Sequence, residues 1–169
     1  MGSIKVRRRL AHRWADLFGL VADIERFPEF VPCCQRTHVL KREVDPAGNS
    51  VIVSRMTVGV SALTVSYVNR TVVDLQGRRI SVSAADGPLR RLDVLWTFSP
   101  KTETTTEVGF SVSYEFNGIM LELLAASMFD AMFRQIVGAF ERRADQLSCR
   151  GVRAGQTTAP AMAAADLTR

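Results

Sequence analysis

Residues able to do chemistry are few in this chain, and they are scattered. The two histidines are His12 and His38. His12 falls where a strand-like pattern gives way to a helical one. His38 sits in a strand-like stretch among charged neighbours. Neither comes with a serine, cysteine or carboxylate at the spacing of a hydrolytic triad or a zinc site, so both read as solvated side chains. Cys33 and Cys34 are adjacent, which rules out C-x-x-C behaviour and makes a mutual disulfide strained. Cys149 stands alone. An odd count of three without metal-ligand spacing points to free thiols in a reducing compartment. Gly118, Gly138 and Gly151 lack the spacing of a phosphate-cradling loop. Asp86, Glu115 and Glu122 are isolated carboxylates with no acid/base partner in view. No catalytic set, metal site or cofactor motif emerges, and on motif grounds the chain does not read as an enzyme.

Large apolar side chains are more telling. Phe27, Phe30, Val31, Trp96, Phe98, Phe110, Tyr114, Phe116, Met120, Met128, Phe129, Met132 and Phe133 each read, taken singly, as core. Methionines and phenylalanines on one helix facing a curved sheet also suit a deformable pocket for an apolar ligand. The segment Phe27–Pro32 holds exposed-looking apolar residues between two prolines, unusual for a linker, and would be the lid of such a pocket.

The elements that must position these residues follow from periodicity. From Gly118 to Leu147, apolar residues recur every three or four positions (Leu121, Leu124, Met128, Met132, Ile136, Phe140, Ala144, Leu147), with Phe129, Phe133 and Val137 widening the stripe. That is one broad face of a long helix, with Asn117 as its N-cap. At about 1.5 Å per residue the rod is roughly 45 Å long, and so long a stripe needs a broad partner. Strands supply it: Ser3–Leu10, then 36–44, 50–58, 63–75, 79–85, 91–99 and 105–116, separated by turns at Asp45–Asn49, Gln76–Arg78, Asp86–Pro88 and Ser99–Thr104. The last strand alternates most cleanly, with Val108, Phe110, Val112, Tyr114 and Phe116 on one face. His12 to Ala22 is a short helix, broken at Phe27–Pro32 because proline disfavours the α region for the residue before it. Antiparallel strands with one apolar face followed by a long amphipathic helix make an α+β layout in which the sheet wraps the helix.

Length and composition agree with one globular domain, 1–149, followed by a flexible tail, 150–169. The chain has 169 residues, 47% apolar and 23% charged. No apolar run approaches the roughly eighteen residues of a membrane span. Met1–Leu10 is basic but has no apolar stretch behind it, which argues against a secretory signal. The net charge of +5 is carried by the ends. Lys5, Arg7, Arg8, Arg9 and Arg13 meet no acid in the first 13 residues, while the middle of the chain is slightly acidic. A basic arm of this kind suits an anionic membrane surface or ribosomal RNA better than a broad nucleic-acid face would.

Four stretches carry a family resemblance. Asp23-Ile24-Glu25-Arg26-Phe27-Pro28-Glu29-Phe30-Val31-Pro32, closing on Cys34, resembles the signature of the coenzyme Q-binding START-like family. Asp86-Gly87-Pro88-Leu89-Arg90-Arg91-Leu92 with Trp96-Thr97-Phe98, then Val108-Gly109-Phe110 with Tyr114-Glu115-Phe116, then Ala139-Phe140-Glu141-Arg142-Arg143-Ala144, resemble its later motifs in order and spacing over 3–147. The chain departs from the family at Cys33, where a tryptophan is usual. The resemblance implies a helix-grip fold, a strongly bent antiparallel sheet gripping the C-terminal helix around a deep apolar cavity. It implies three functions: a non-enzymatic carrier of ubiquinone or a similar prenyl lipid serving respiration and quinone biosynthesis; a RatA-type toxin binding ribosomal subunits; or a polyketide cyclase-like enzyme. The carrier reading is preferred. Its walls are expected from Met56, Val58, Trp96, Phe110, Tyr114, Phe116, Leu124, Met128 and Met132, with Tyr114 donating to a quinone carbonyl and Phe27, Pro28, Phe30, Val31 and Pro32 at the opening. No metal or resident cofactor is expected, and the place of work is the cytoplasm, peripheral to an inner membrane. Arg55, Arg70, Asp93 or Glu115 turned inward would instead favour an enzyme.

Overall fold

Alternation of apolar and polar residues builds seven strands, and every neighbouring pair is antiparallel. The structure is a computed structural model. It describes residues 1–60 and 63–155, with the backbone alone described at 60, 63, 120–130 and 150–155. The elements are β1 (Gly2–Leu10), α1 (Trp14–Ala22), a 3₁₀ turn (Ile24–Arg26), α2 (Phe27–Phe30), β2 (Cys34–Val44), β3 (Ser50–Val60), β4 (Leu63–Asp74), β5 (Arg79–Ala84), β6 (Leu89–Pro100), β7 (Thr106–Phe116) and α3 (Ile119–Gly155). The strands form one sheet in the order β1-β7-β6-β5-β4-β3-β2. Strands β2 to β7 are thus a simple meander, and β1 returns beside β7. Register shifts at Cys34/Arg36, Val39/Lys41 and Leu89/Arg91 mark irregularities of the bulge kind, which bend and twist a sheet. This is the helix-grip fold expected: a bent antiparallel sheet around the C-terminal helix.

One face of that sheet is the core. Burial alternates without a break along β7, with Thr106, Val108, Phe110, Val112 and Tyr114 buried. Register carries the same face across the sheet, since Phe110 lies opposite Val6 and Trp96, and Trp96 opposite Ile80. Leu17, Phe18 and Val21 of α1 and Phe133, Phe140 and Ala144 of α3 close over it. Fully burying each such side chain contributes about 1.5–3 kcal/mol.

Three expectations need correction. Phe27–Pro32 is not simply a break: Phe27 adopts αR (φ −54°, ψ −39°) and α2 runs to Phe30. Pro28 tolerates this because it sits in the first turn, where its missing N–H would have had no intrahelical partner. Asn117 is not the cap of α3. The helix starts two residues later, after Gly118 at φ +103°, and the Asn117 amide instead donates to the Gly87 carbonyl at 3.1 Å. His12 is not solvated. Its Nε2 lies 2.7 Å from Asp145 Oδ1 and its Nδ1 3.0 Å from Ser148 Oγ, with 11% of the side chain exposed. The turn after edge strand β1 meets the later turns of α3, a neighbour 133 residues away that local pattern does not reveal. His38, by contrast, is exposed. The later part of the expected tail, 156–169, lies outside the described residues.

Phe140 is where the layers meet, its ring 5.4 Å from Phe27, 5.1 Å from Phe30 and 5.1 Å from Trp96. Replacing Phe140 by Ala should lower unfolding free energy by about 3–5 kcal/mol in urea titrations; a loss under about 1 kcal/mol would show that α2 docks independently of this ring.

Candidate apolar binding site

The inward row of rings begins at α2 and crosses the sheet. Phe27 and Phe30 meet Phe140, Phe140 meets Trp96, and Trp96 meets Phe110 at 4.5 Å. Phe110 meets Phe133, which stacks on Tyr114, and Tyr114 meets Phe116 at 5.7 Å. Tyr114 also lies over Gly2, where a Cβ would come within 2.3 Å of the ring, so the first strand approaches only because residue 2 has no side chain. Half-buried Val31 and Met132 pack against this cluster. The sequence-predicted residues Phe27, Phe30, Val31, Trp96, Phe110, Tyr114, Phe116 and Met132 are therefore brought together. Pro28 is exposed, on the solvent side of α2, and Pro32 is half-buried. Leu124 and Met128, with Met120 and Phe129, lie outside the described side chains.

Beside this wall the described residues leave an apolar cavity of about 30 Å³ between β1, β7, α1 and α3. That is about one water's worth of space. Arg8 and Glu141, 3.5 Å apart, stand at its rim. Closure is tight here because Trp96, Phe98, Val108 and Phe110 are all buried.

Coverage differs at the far end of the concave face. There Met56, Val58, Val65 and Tyr67, all on the inward side of β3 and β4, are only half-buried. Among them lies a polar group. Ser54, Asn69 and Thr71 are 0%, 3% and 1% exposed. The Ser54 hydroxyl donates to Asn69 Oδ1 at 2.9 Å and the Thr71 hydroxyl donates to the same oxygen at 3.4 Å. Tyr67 donates its hydroxyl to Met56 Sδ at 3.4 Å. Burial, and secondarily the nearby Cys34 and Cys33 thiols, pushes the Tyr67 hydroxyl well above the ordinary phenol range. Burial also raises both thiols, and Cys34 Sγ lies 3.6 Å from Thr37 Oγ1. Cys33 itself adopts the left-handed region (φ +62°) where the chain turns from α2 into β2, its carbonyl accepting from Gly59 N–H at 2.9 Å.

Residues 10–141 match the family model described as polyketide cyclase/dehydrase and lipid transport. The chain belongs to this family. It is 32% identical to the ribosome association toxin RatA of Vibrio cholerae over 132 residues, covering 78% of this chain and 88% of that protein. It is 31% identical to the mitochondrial coenzyme Q-binding protein COQ10 homolog B of Xenopus laevis, over 90% of this chain and 59% of that one. Among solved structures, an 18 kDa Caulobacter crescentus protein superimposes with a TM-score of 0.72 at 31% identity, covering 88% of this chain and 99% of that one. The resemblance read from the four motifs is thereby borne out.

Within this family frame, the four residues whose inward turn would favour an enzyme all lie on the outer side of the sheet. Arg55 and Arg70 are exposed, Asp93 pairs with Arg91, and Glu115 with Arg90 at 3.1 Å. No group of three metal-ligating side chains occurs among the described residues. Among the described residues no helix is long and apolar enough to cross a membrane. Sequence reasoning overlooked Ser54, Tyr67, Asn69 and Thr71. The signal was there: on the inward alternation Val65, Tyr67, Asn69, Thr71, Val73, two polar residues interrupt an apolar face.

The Tyr67 environment gives a pH test. Its folded-state pKa is raised above the unfolded value, so the neutral phenol's contribution to stability is complete below pH about 10 and is lost as pH rises beyond it. Tyr67 and Tyr114 are the two tyrosines. In a Tyr114→Phe variant the folded protein should show no phenolate absorbance at pH about 10.5, and guanidinium unfolding should reveal it. Phenolate in the folded state would place the hydroxyl in solvent.

Proposed function

We propose that the protein is a non-enzymatic carrier that buries an apolar ligand, ubiquinone or a similar prenyl quinone, between the concave sheet face and α3. The observation that supports this most is the uneven cover of that face. Aromatic rings seal one end, while at the other Met56, Val58, Val65 and Tyr67 remain half-buried around a polar group. A prenyl chain is costly to hold in water, at about 0.8 kcal/mol per CH₂, so a carrier needs such a face and few charges on it. Likeness to a coenzyme Q-binding protein over 90% of the chain supports the same ligand class. In this reading Trp96, Phe110, Tyr114, Phe116, Met132, Met56 and Val58 are wall, and Leu124 and Met128 complete it. Phe27, Phe30, Val31 and Pro32 close the opening. Lys5, Arg7 and Arg9 share the exposed face of edge strand β1 and suit transient contact with anionic headgroups.

A second reading is favoured by the 32% identity to RatA: binding to a ribosomal subunit through that same basic strand. The two separate by mutation. Charge reversal at Lys5, Arg7 and Arg9 should abolish salt-sensitive co-sedimentation with ribosomal subunits if the second reading holds, and leave quinone retention intact if the first does.

The carrier reading is tested with the two tryptophans, Trp14 and Trp96. In a Trp14→Phe background, added ubiquinone should quench Trp96 fluorescence saturably. Adding Val58→Trp to the wild-type chain, which fills the half-covered end, should lower quinone retention at least about ten-fold while the melting temperature moves little. Unchanged retention in the filled variant would put the ligand elsewhere.

A further inference from the structure

Asn69 occupies a position where the alternation calls for an apolar side chain, and it is nearly fully buried. Its strand neighbours on that face, Tyr67 and Val73, pack against the core, so its carboxamide lies on the concave side. Ser54 stands directly across from it on β3. The hydroxyls of Ser54 and Thr71 both donate to Oδ1, and together they hold the rotation of the amide. The two N–H donors of Nδ2 then lie on the far side of the carboxamide and meet no acceptor among the described residues. Unlike Arg143 Nε, this nitrogen is not sealed off among the described residues, so its N–H groups keep some access to a guest's acceptor.

A second donor stands beside it. Tyr67 is two residues along the same strand face, a repeat of about 7 Å. Its hydroxyl rests on a thioether sulfur, a weak acceptor that any carbonyl oxygen would outcompete. Two donors, one idle and one poorly used, therefore face the half-covered end of the site within one strand repeat. Carboxylates and cationic side chains are missing from this group, which disfavours a charged head.

We infer that Asn69 and Tyr67 form a head-group site that hydrogen-bonds the carbonyl oxygens of an uncharged quinone ring at the half-covered end of the concave face. Ser54 and Thr71 are positioning residues that act through the Asn69 oxygen. This rests on the carrier reading above and adds the residues that would hold the ring. It also moves the polar contact from Tyr114, at the sealed end, to the open end.

The test compares two ligands of equal tail, decyl-benzoquinone and decylbenzene, in mixed micelles. Wild-type protein should prefer the quinone. Asn69→Leu should weaken quinone binding about ten-fold and leave decylbenzene within about two-fold, the size expected for one buried hydrogen bond. Tyr67→Phe should weaken quinone binding by a smaller factor, again without touching decylbenzene. Equal affinity of wild-type and Asn69→Leu protein for the quinone overturns the head-group site while leaving the carrier reading standing. Failure of wild-type protein to bind either ligand overturns both. Should Asn69→Leu not fold, the Asn69 side-chain amide resonances of isotope-labelled wild-type protein decide: a shift with decyl-benzoquinone but not with decylbenzene supports the site, and no shift with either ligand at saturation overturns it.

Discussion

The contact on which most of the structure depends is the Phe140 ring. It stands edge-on to Phe27 and Phe30 at near-perpendicular angles and tilted against Trp96, so that α2, α3 and the centre of the sheet share one side chain. One turn further along α3, Arg143 reaches Glu29 Oε2 at 2.7 Å and lies over the Phe30 ring at 5.4 Å. Arg26 also holds Glu29, and these cations keep its carboxyl below the usual range. The segment expected from sequence to be a free lid is therefore clamped by rings inside and by charge outside. The two edge-to-face contacts add about 0.5–1.5 kcal/mol each beyond the apolar area that the rings bury. Arg143 Nε is buried without a partner among the described residues, which offsets part of what its ion pair with Glu29 contributes.

That clamp divides the concave face. On the α2 side, rings from four elements pack together and leave room for about one water. Toward β3 and β4 the same face carries side chains left half-buried and a fixed carboxamide. The charges of β5, β6 and β7 are kept on the sheet's other side, where Arg79–Asp74, Arg90–Glu115 and Arg91–Asp93 pair locally. Exposed pairs of this kind contribute little to stability, but their placement keeps the centre of the concave face uncharged, with Arg8 and Glu141 at its rim. A face that is apolar, ring-lined and uncharged, with a few neutral donors, suits a large hydrophobic molecule with a small polar end. A reaction needing acid/base groups would find few on it.

Much of this was legible in the sequence, for identifiable reasons. The period-two pattern of Val108 to Phe116 and the period-3.6 pattern of Met132 to Ala144 each report burial on one face, and burial is what the sheet and helix share. Strand ends fell within about two residues of the structure. The α2 helix was missed because a proline reads locally as a breaker, while its tolerance in a first turn depends on where the helix begins. His12 was misread because its partners, Asp145 and Ser148, lie on the last element of the chain, and sequence spacing says nothing of that meeting. The aromatic wall was found because large rings announce themselves. Ser54, Asn69 and Thr71 were passed over because each is an ordinary strand or turn residue; only the register, which sets Ser54 against Asn69, turns them into a group.

Central to the carrier reading is that the fold holds an apolar guest. The most direct measurement is organic extraction of the purified protein followed by mass spectrometry of the extract. A prenyl quinone recovered at near-stoichiometric level is the expected result, and its mass gives the chain length. An extract without prenyl lipid, from a protein that also takes up no added ubiquinone, would contradict it and leave the concave face as core alone.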